Sequence, residues 1–118
     1  MYKQIITSSV TLLLLDVLFL YFQQSTFLKY LNQIQSNTKL KYTGIIICYL
    51  FLLFALNYFI IIPNKSVLDA FVLGLCIYGV YEGTTYATLN KWPIHLLVQD
   101  TLWGGILFAT STWIARHV

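Results

Sequence analysis

Asp16, Asp69, Glu82 and Asp100 are the four acidic residues of this chain, and each lies inside an apolar stretch. The seven Lys and Arg residues lie outside those stretches or at their edges. A carboxyl in apolar surroundings can exchange a proton, coordinate a cation, or hydrogen-bond one helix to another. In hydrocarbon an ionisable group costs roughly 2.5–3.5 kcal/mol on insertion scales, so it needs a partner and marks a candidate site. Asp69 has a plainer role available. Ser66-x-x-Asp69 is a capping box that would open a helix.

The chemistry open to Asp16, Glu82 and Asp100 is narrowed by what surrounds them. No Lys, Arg or His falls at their expected depth; His95 lies nearer a membrane face and His117 is near the C-terminus. Three acids without a base either share protons, bind a metal ion, or face water. Cys48 and Cys76 sit in apolar segments at a spacing that fits no metal knuckle, and they read as small buried hydrophobes. There is no G-x-S-x-G elbow, H-E-x-x-H pair, Cys/His cluster or phosphate loop, so no cofactor is expected. His95 with two carboxylates could serve a membrane hydrolase or transferase, but no spacing specifies one.

The elements that must position these acids are membrane helices. The 118 residues are 58% hydrophobic and 9% charged, against about 25% charged in an average soluble domain. Four segments are long enough to span: 4–22, 42–62, 67–89 and 93–115. The first resembles a signal sequence, but Asp16 interrupts it and no small-x-small site follows, so it reads as a retained helix. Phe27, Leu28, Leu31 and Ile34 among polar neighbours suggest a short interfacial helix between spans 1 and 2. Pro63-Asn64-Lys65-Ser66 and Asn90-Lys91-Trp92, the latter followed by Pro93, are tight turns that make spans 2–3 and 3–4 antiparallel neighbours. Tyr2, Tyr21, Tyr30, Tyr42, Trp92 and Trp113 lie near the expected helix ends, as an aromatic belt would. The expected architecture is an all-α integral membrane four-helix bundle plus the interfacial helix, in a single domain covering 1–118.

Four spans place both termini on one side. The net charge of +3 is met by lysines at segment edges, with no basic run, so lipid is the expected partner and nucleic acid is not. Lys29, Lys39 and Lys41 favour the opposite side as cytoplasmic, although three basic residues against four do not settle orientation. Given these boundaries, Asp16, Glu82 and Asp100 all fall roughly 4–6 Å from the midplane on one side of it. Tyr78, Glu82 and Thr85 share a helical stripe with Tyr81 beside them, and Asp100 shares one with Trp103, Gly104, Leu107 and Ser111. Ser9, Asp16 and Gln23 repeat every seven residues. Tyr78, Tyr81, Thr85 and Trp103 are thus the expected donors to the acids. Gly79-x-x-x-Gly83, Gly74 and Gly104-Gly105 are the expected close-packing positions, within the bundle rather than between copies.

Several of these patterns resemble a family of small membrane proteins known as domain of unknown function 2177. They are Leu15-Asp16 in a frame ending at Phe19-Leu20, Gly74 and Gly79, and the run Tyr78-Gly79-Val80-Tyr81-Glu82-Gly83-Thr84-Thr85. Leu89-Asn90-Lys91-Trp92-Pro93 and Asp100-Thr101-Leu102-Trp103-Gly104-Gly105 complete them, the D-T-x-W-G pattern being the most specific. Phe19 stands where Trp is expected in that family, and Glu82-Gly83 where Asp and an apolar residue are expected. The resemblance implies a four-helix membrane fold and no particular activity.

The leading expectation is a proton- or cation-handling channel or transporter carried by Asp16, Glu82 and Asp100, with a bound metal left open. A structural or accessory subunit of a larger membrane complex is the alternative, and a lipid-modifying enzyme the third; a homo-oligomer with a central pore would favour the leading expectation.

Overall fold

The computed structural model describes residues 2–34, 42–88 and 92–117. Four helices occupy them: α1 Tyr2–Ile34, α2 Tyr42–Leu56, α3 Val67–Thr88 and α4 Ile94–His117. No strand occurs among the described residues. A π-helical turn, Asn57–Ile61, continues α2, its wider spacing carried by the Ile62 N–H donating to the Asn57 carbonyl at 2.9 Å. Pro63 follows directly. Its ring would crowd the carbonyl four residues back in a regular helix, and the chain leaves the α pattern just before it. Asn64 then takes a left-handed conformation (φ 59°), which Asn tolerates well, and the Lys65 N–H returns to the Ile60 carbonyl at 2.8 Å.

At the start of α3 the Ser66 arm of the expected capping box forms. The Asp69 N–H donates to Ser66 Oγ at 3.0 Å, and Asp69 is exposed. It belongs to the helix end and not to the interior acids.

Tyr2–Gln23, Thr43–Ile61 and Val67–Thr88 are long and apolar enough to cross a membrane. α4, at 24 residues, has the length, about 36 Å at 1.5 Å per residue, but is not among those three. Its position accounts for that. α4 packs along α3 on one flank and α1 on the other, so it buries Leu96, Asp100, Leu107, Phe108, Ser111 and Thr112 among others and can carry more polar residues than a lipid-facing helix. The molecule measures 46 × 23 × 21 Å, close in length to a bilayer of about 40–45 Å with its headgroups.

One expected element is not separate. The segment read as an interfacial helix is the continuation of α1, which runs unbroken from Tyr2 to Ile34. At 33 residues, about 50 Å, α1 outruns the hydrocarbon core by several turns.

The α3–α4 contact is set by glycine, though not by the expected pair alone. A Cβ on Gly74 would overlap the Gly104 carbonyl, one on Gly104 would overlap the Tyr78 ring, and one on Gly105 would press on Phe71 and Leu75. Gly83 faces open space, and Gly79 makes only an ordinary contact with Thr101 Cγ2. The close approach is therefore Gly74 against Gly104, and the Gly79/Gly83 spacing plays no part in it. Leu12, Leu56, Ile60, Ile61, Ala70, Leu107, Phe108 and Ala115 form the apolar core. The outer faces present Leu14, Phe22, Phe51, Phe54, Leu68 and Val80, as a lipid-facing surface does.

Candidate functional site: buried carboxyls on three helices

Asp16, Glu82 and Asp100 are 5%, 2% and 3% exposed, on α1, α3 and α4 respectively. Equal burial conceals unequal surroundings. Asp16 is fully furnished. The Tyr49 hydroxyl on α2 donates to Oδ2 through a very short hydrogen bond, and the Trp103 indole N–H on α4 donates to Oδ1 at 3.0 Å. Phe19 stacks on Trp103 with ring centroids 4.5 Å apart and fixes the indole plane. Asp16 therefore ties α1 to both α2 and α4, one oxygen to each.

Glu82 accepts the Trp92 indole N–H at Oε2, 2.9 Å away. Trp92 was expected in the aromatic belt. It is instead 6% exposed, with its indole N–H on Glu82.

Asp100 is furnished least. Neither oxygen receives a donor among the described residues. The Glu82 carboxyl lies close to it, and Asp16 is also near. Beside it, Thr101 Oγ1 is also buried and unbonded among the described residues. Two facing carboxyls can hydrogen-bond only when a proton lies between them; two carboxylates in that position would repel.

The other expected donors divide. Trp103 bonds Asp16. Tyr78 lies close to Asp16, Tyr49 and Asp100, its ring against Gly104. Tyr81 points outward at 62% exposure, and the Thr85 hydroxyl is taken up by the Tyr81 carbonyl at 2.9 Å; neither donates to an acid. His95 is exposed on α4. Among the described residues no three His, Cys, Asp or Glu side chains converge as metal ligands do. A surface hollow of about 250 Å³ lined by Val67, Ala109, Thr110 and Trp113 lies at the Val67 end of α3, away from the carboxyls.

Sequence reasoning missed Tyr49 and Trp92. Tyr49 sits in the most uniformly apolar helix, whose other hydroxyl residues, Tyr42 and Thr43, stand at its start. It also missed a second polar level. Asn57 Nδ2 donates to Ser9 Oγ at 3.1 Å and to the Leu53 carbonyl at 2.9 Å, and Ser8 Oγ lies 3.0 Å from Asn57 Oδ1. Ser8 precedes Asp16 by eight residues and Asn57 follows Tyr49 by eight. The two levels are thus about 12 Å apart on both helices, with buried Leu12 and Leu56 between them.

Long apolar helices closed around buried carboxyls define a helical membrane protein. The chain belongs to the family of predicted membrane proteins designated domain of unknown function 2177, whose model matches residues 1–117. No curated protein and no solved structure matches it.

Proposed function

We propose that this protein is a proton- or cation-handling channel or transporter in which Asp16, Glu82 and Asp100 form the intramembrane acidic layer. The observation that carries this reading is Asp100: a carboxyl buried to 3% exposure, with no donor to either oxygen among the described residues and another carboxyl before it. A residue selected only to join helices would be bonded, as Asp16 is. An acid kept without donors in a low-dielectric interior is costly, and handling a positive charge gives that cost a use. In this reading α4 crosses the membrane with the other three helices and both termini share a side. The enzyme reading has less support. His95 and Asp100 are five residues apart on α4, about 140° around its axis, with His95 exposed and Asp100 buried.

Reconstituted liposomes test it. Under imposed proton and sodium gradients, the wild-type protein is expected to dissipate at least one of them faster than empty vesicles, and Asp100→Asn to reduce that rate at least tenfold. Equal leak from wild type, Asp16→Asn, Asp100→Asn and empty vesicles would overturn the proposal.

A further inference from the structure

Within the acidic layer the three carboxyls are not equivalent. Asp16 has a donor on each oxygen, from two different helices. Glu82 has the Trp92 indole on one oxygen. Asp100 has none among the described residues, and its neighbour Thr101 carries a second buried hydroxyl oxygen with no partner there. Both orphaned groups lie on α4 where it meets α3, Thr101 beside Gly79 and Asp100 before Glu82. Among the described residues, Glu82, Tyr78 and Tyr81 from α3 and Asp16 from α1 bear on Asp100, and all four are acids.

We propose that Glu82 and Asp100 hold a single proton between their carboxyls and form the proton-exchanging site, that Asp16 is a hydrogen-bonded brace outside the exchange, and that the Trp92 indole closes the pair. This rests on the reading of the acidic layer as charge-handling and selects the proton over a metal ion. The donor set decides the species. Calcium takes six to eight oxygen ligands and magnesium a near-octahedral set, whereas the described residues offer here the Glu82 and Asp100 carboxyls with the Thr101 and Tyr78 hydroxyls near them. A proton needs only the two facing oxygens. On exchange, one carboxyl O–H bond breaks and the proton passes to water, leaving two carboxylates at short range. That state is unfavourable, so release and recapture are coupled. The Trp92 N–H, bonded to Glu82, is the donor that holds Glu82 in place while Asp100 gains or loses its partner.

Infrared spectroscopy of the purified protein at neutral pH, in a detergent free of ester carbonyls, reads this directly through the carbonyl stretch of a protonated carboxylic acid. The wild type is expected to show that band, to shift it in heavy water, and to keep it when potassium is exchanged for sodium or calcium. Asp100→Asn and Glu82→Gln are each expected to lose it, because an amide then donates to the remaining carboxylate. Asp16→Asn and Asp100→Glu are expected to keep it. No band in the wild type, its loss on adding sodium or calcium, or its survival in both Asp100→Asn and Glu82→Gln would overturn the assignment. The readout is independent of flux. The band without transport would sink the transport reading and leave the shared proton standing; transport without the band would do the reverse.

Discussion

Asp16 and Asp100 are the same residue type, buried to nearly the same degree, 5% and 3% exposed, yet one has two donors and the other none among the described residues. Burial alone therefore does not tell these two acids apart; the donor count does. Asp16 behaves as a fastening between α1, α2 and α4. Asp100 is held by the backbone of α4, pressed on α3 by the Gly74–Gly104 approach, with its carboxyl against Glu82.

That contrast can be broken at the packing surface first. Gly74→Leu is expected to have the largest effect, because its side chain meets the Gly104 carbonyl, a backbone atom that can yield only by separating α3 from α4. Loss of monodisperse protein on size exclusion is the expected outcome, against an ordinary overpacking cost of about 1–3 kcal/mol; Gly83→Leu, facing open space, is expected to purify like wild type. At the brace, Tyr49→Phe leaves one oxygen of Asp16 without its donor and is expected to cost about 1–3 kcal/mol, read as a lower unfolding midpoint in detergent. A double-mutant cycle with Asp16→Asn should show the two losses to be strongly non-additive. Trp92→Phe is expected to destabilise by a similar or smaller amount, about 1–2 kcal/mol, by removing the Glu82 donor. Ser66→Ala, away from both regions, removes the α3 cap and is expected to cost about 1 kcal/mol, with no effect on any property of the acids.

Much of the fold was legible because its punctuation is explicit. Pro63, Ser66 and Pro93 mark helix ends by chemistry that acts within one or two turns, and the observed α3 and α4 begin within one residue of the expected starts. The helix over residues 27–34 is present but continuous with α1 rather than separate, for a related reason. Polar composition after Phe22 suggested a change of environment, but residues 1–34 contain no Pro or Gly, so nothing stops α1. For the site, the sequence supplies the acids and not their contacts. Helical rise gives Asp16, Glu82 and Asp100 an expected common depth, whereas which face meets which depends on how the helices are rotated, and for α3 and α4 the Gly74–Gly104 approach bears on that. Tyr81, next to Glu82 in sequence, points outward and the Thr85 hydroxyl bonds the Tyr81 carbonyl, while Tyr49 and Trp92 supply the donors. Ser9 was placed on the acid stripe by a seven-residue spacing; Ser8, at eight, is the fully buried one.

The unfolding midpoint of Asp100→Asn tests the central contrast most directly, measured beside Asp16→Asn in the same detergent at neutral pH. The amide at position 100 would convert an acid–acid contact into a donor–acceptor contact with Glu82. The account predicts a midpoint equal to or above that of the wild type, while Asp16→Asn falls clearly below it. A drop in Asp100→Asn as large as that in Asp16→Asn would contradict the account, since Asp100 would then be one more fastening between helices.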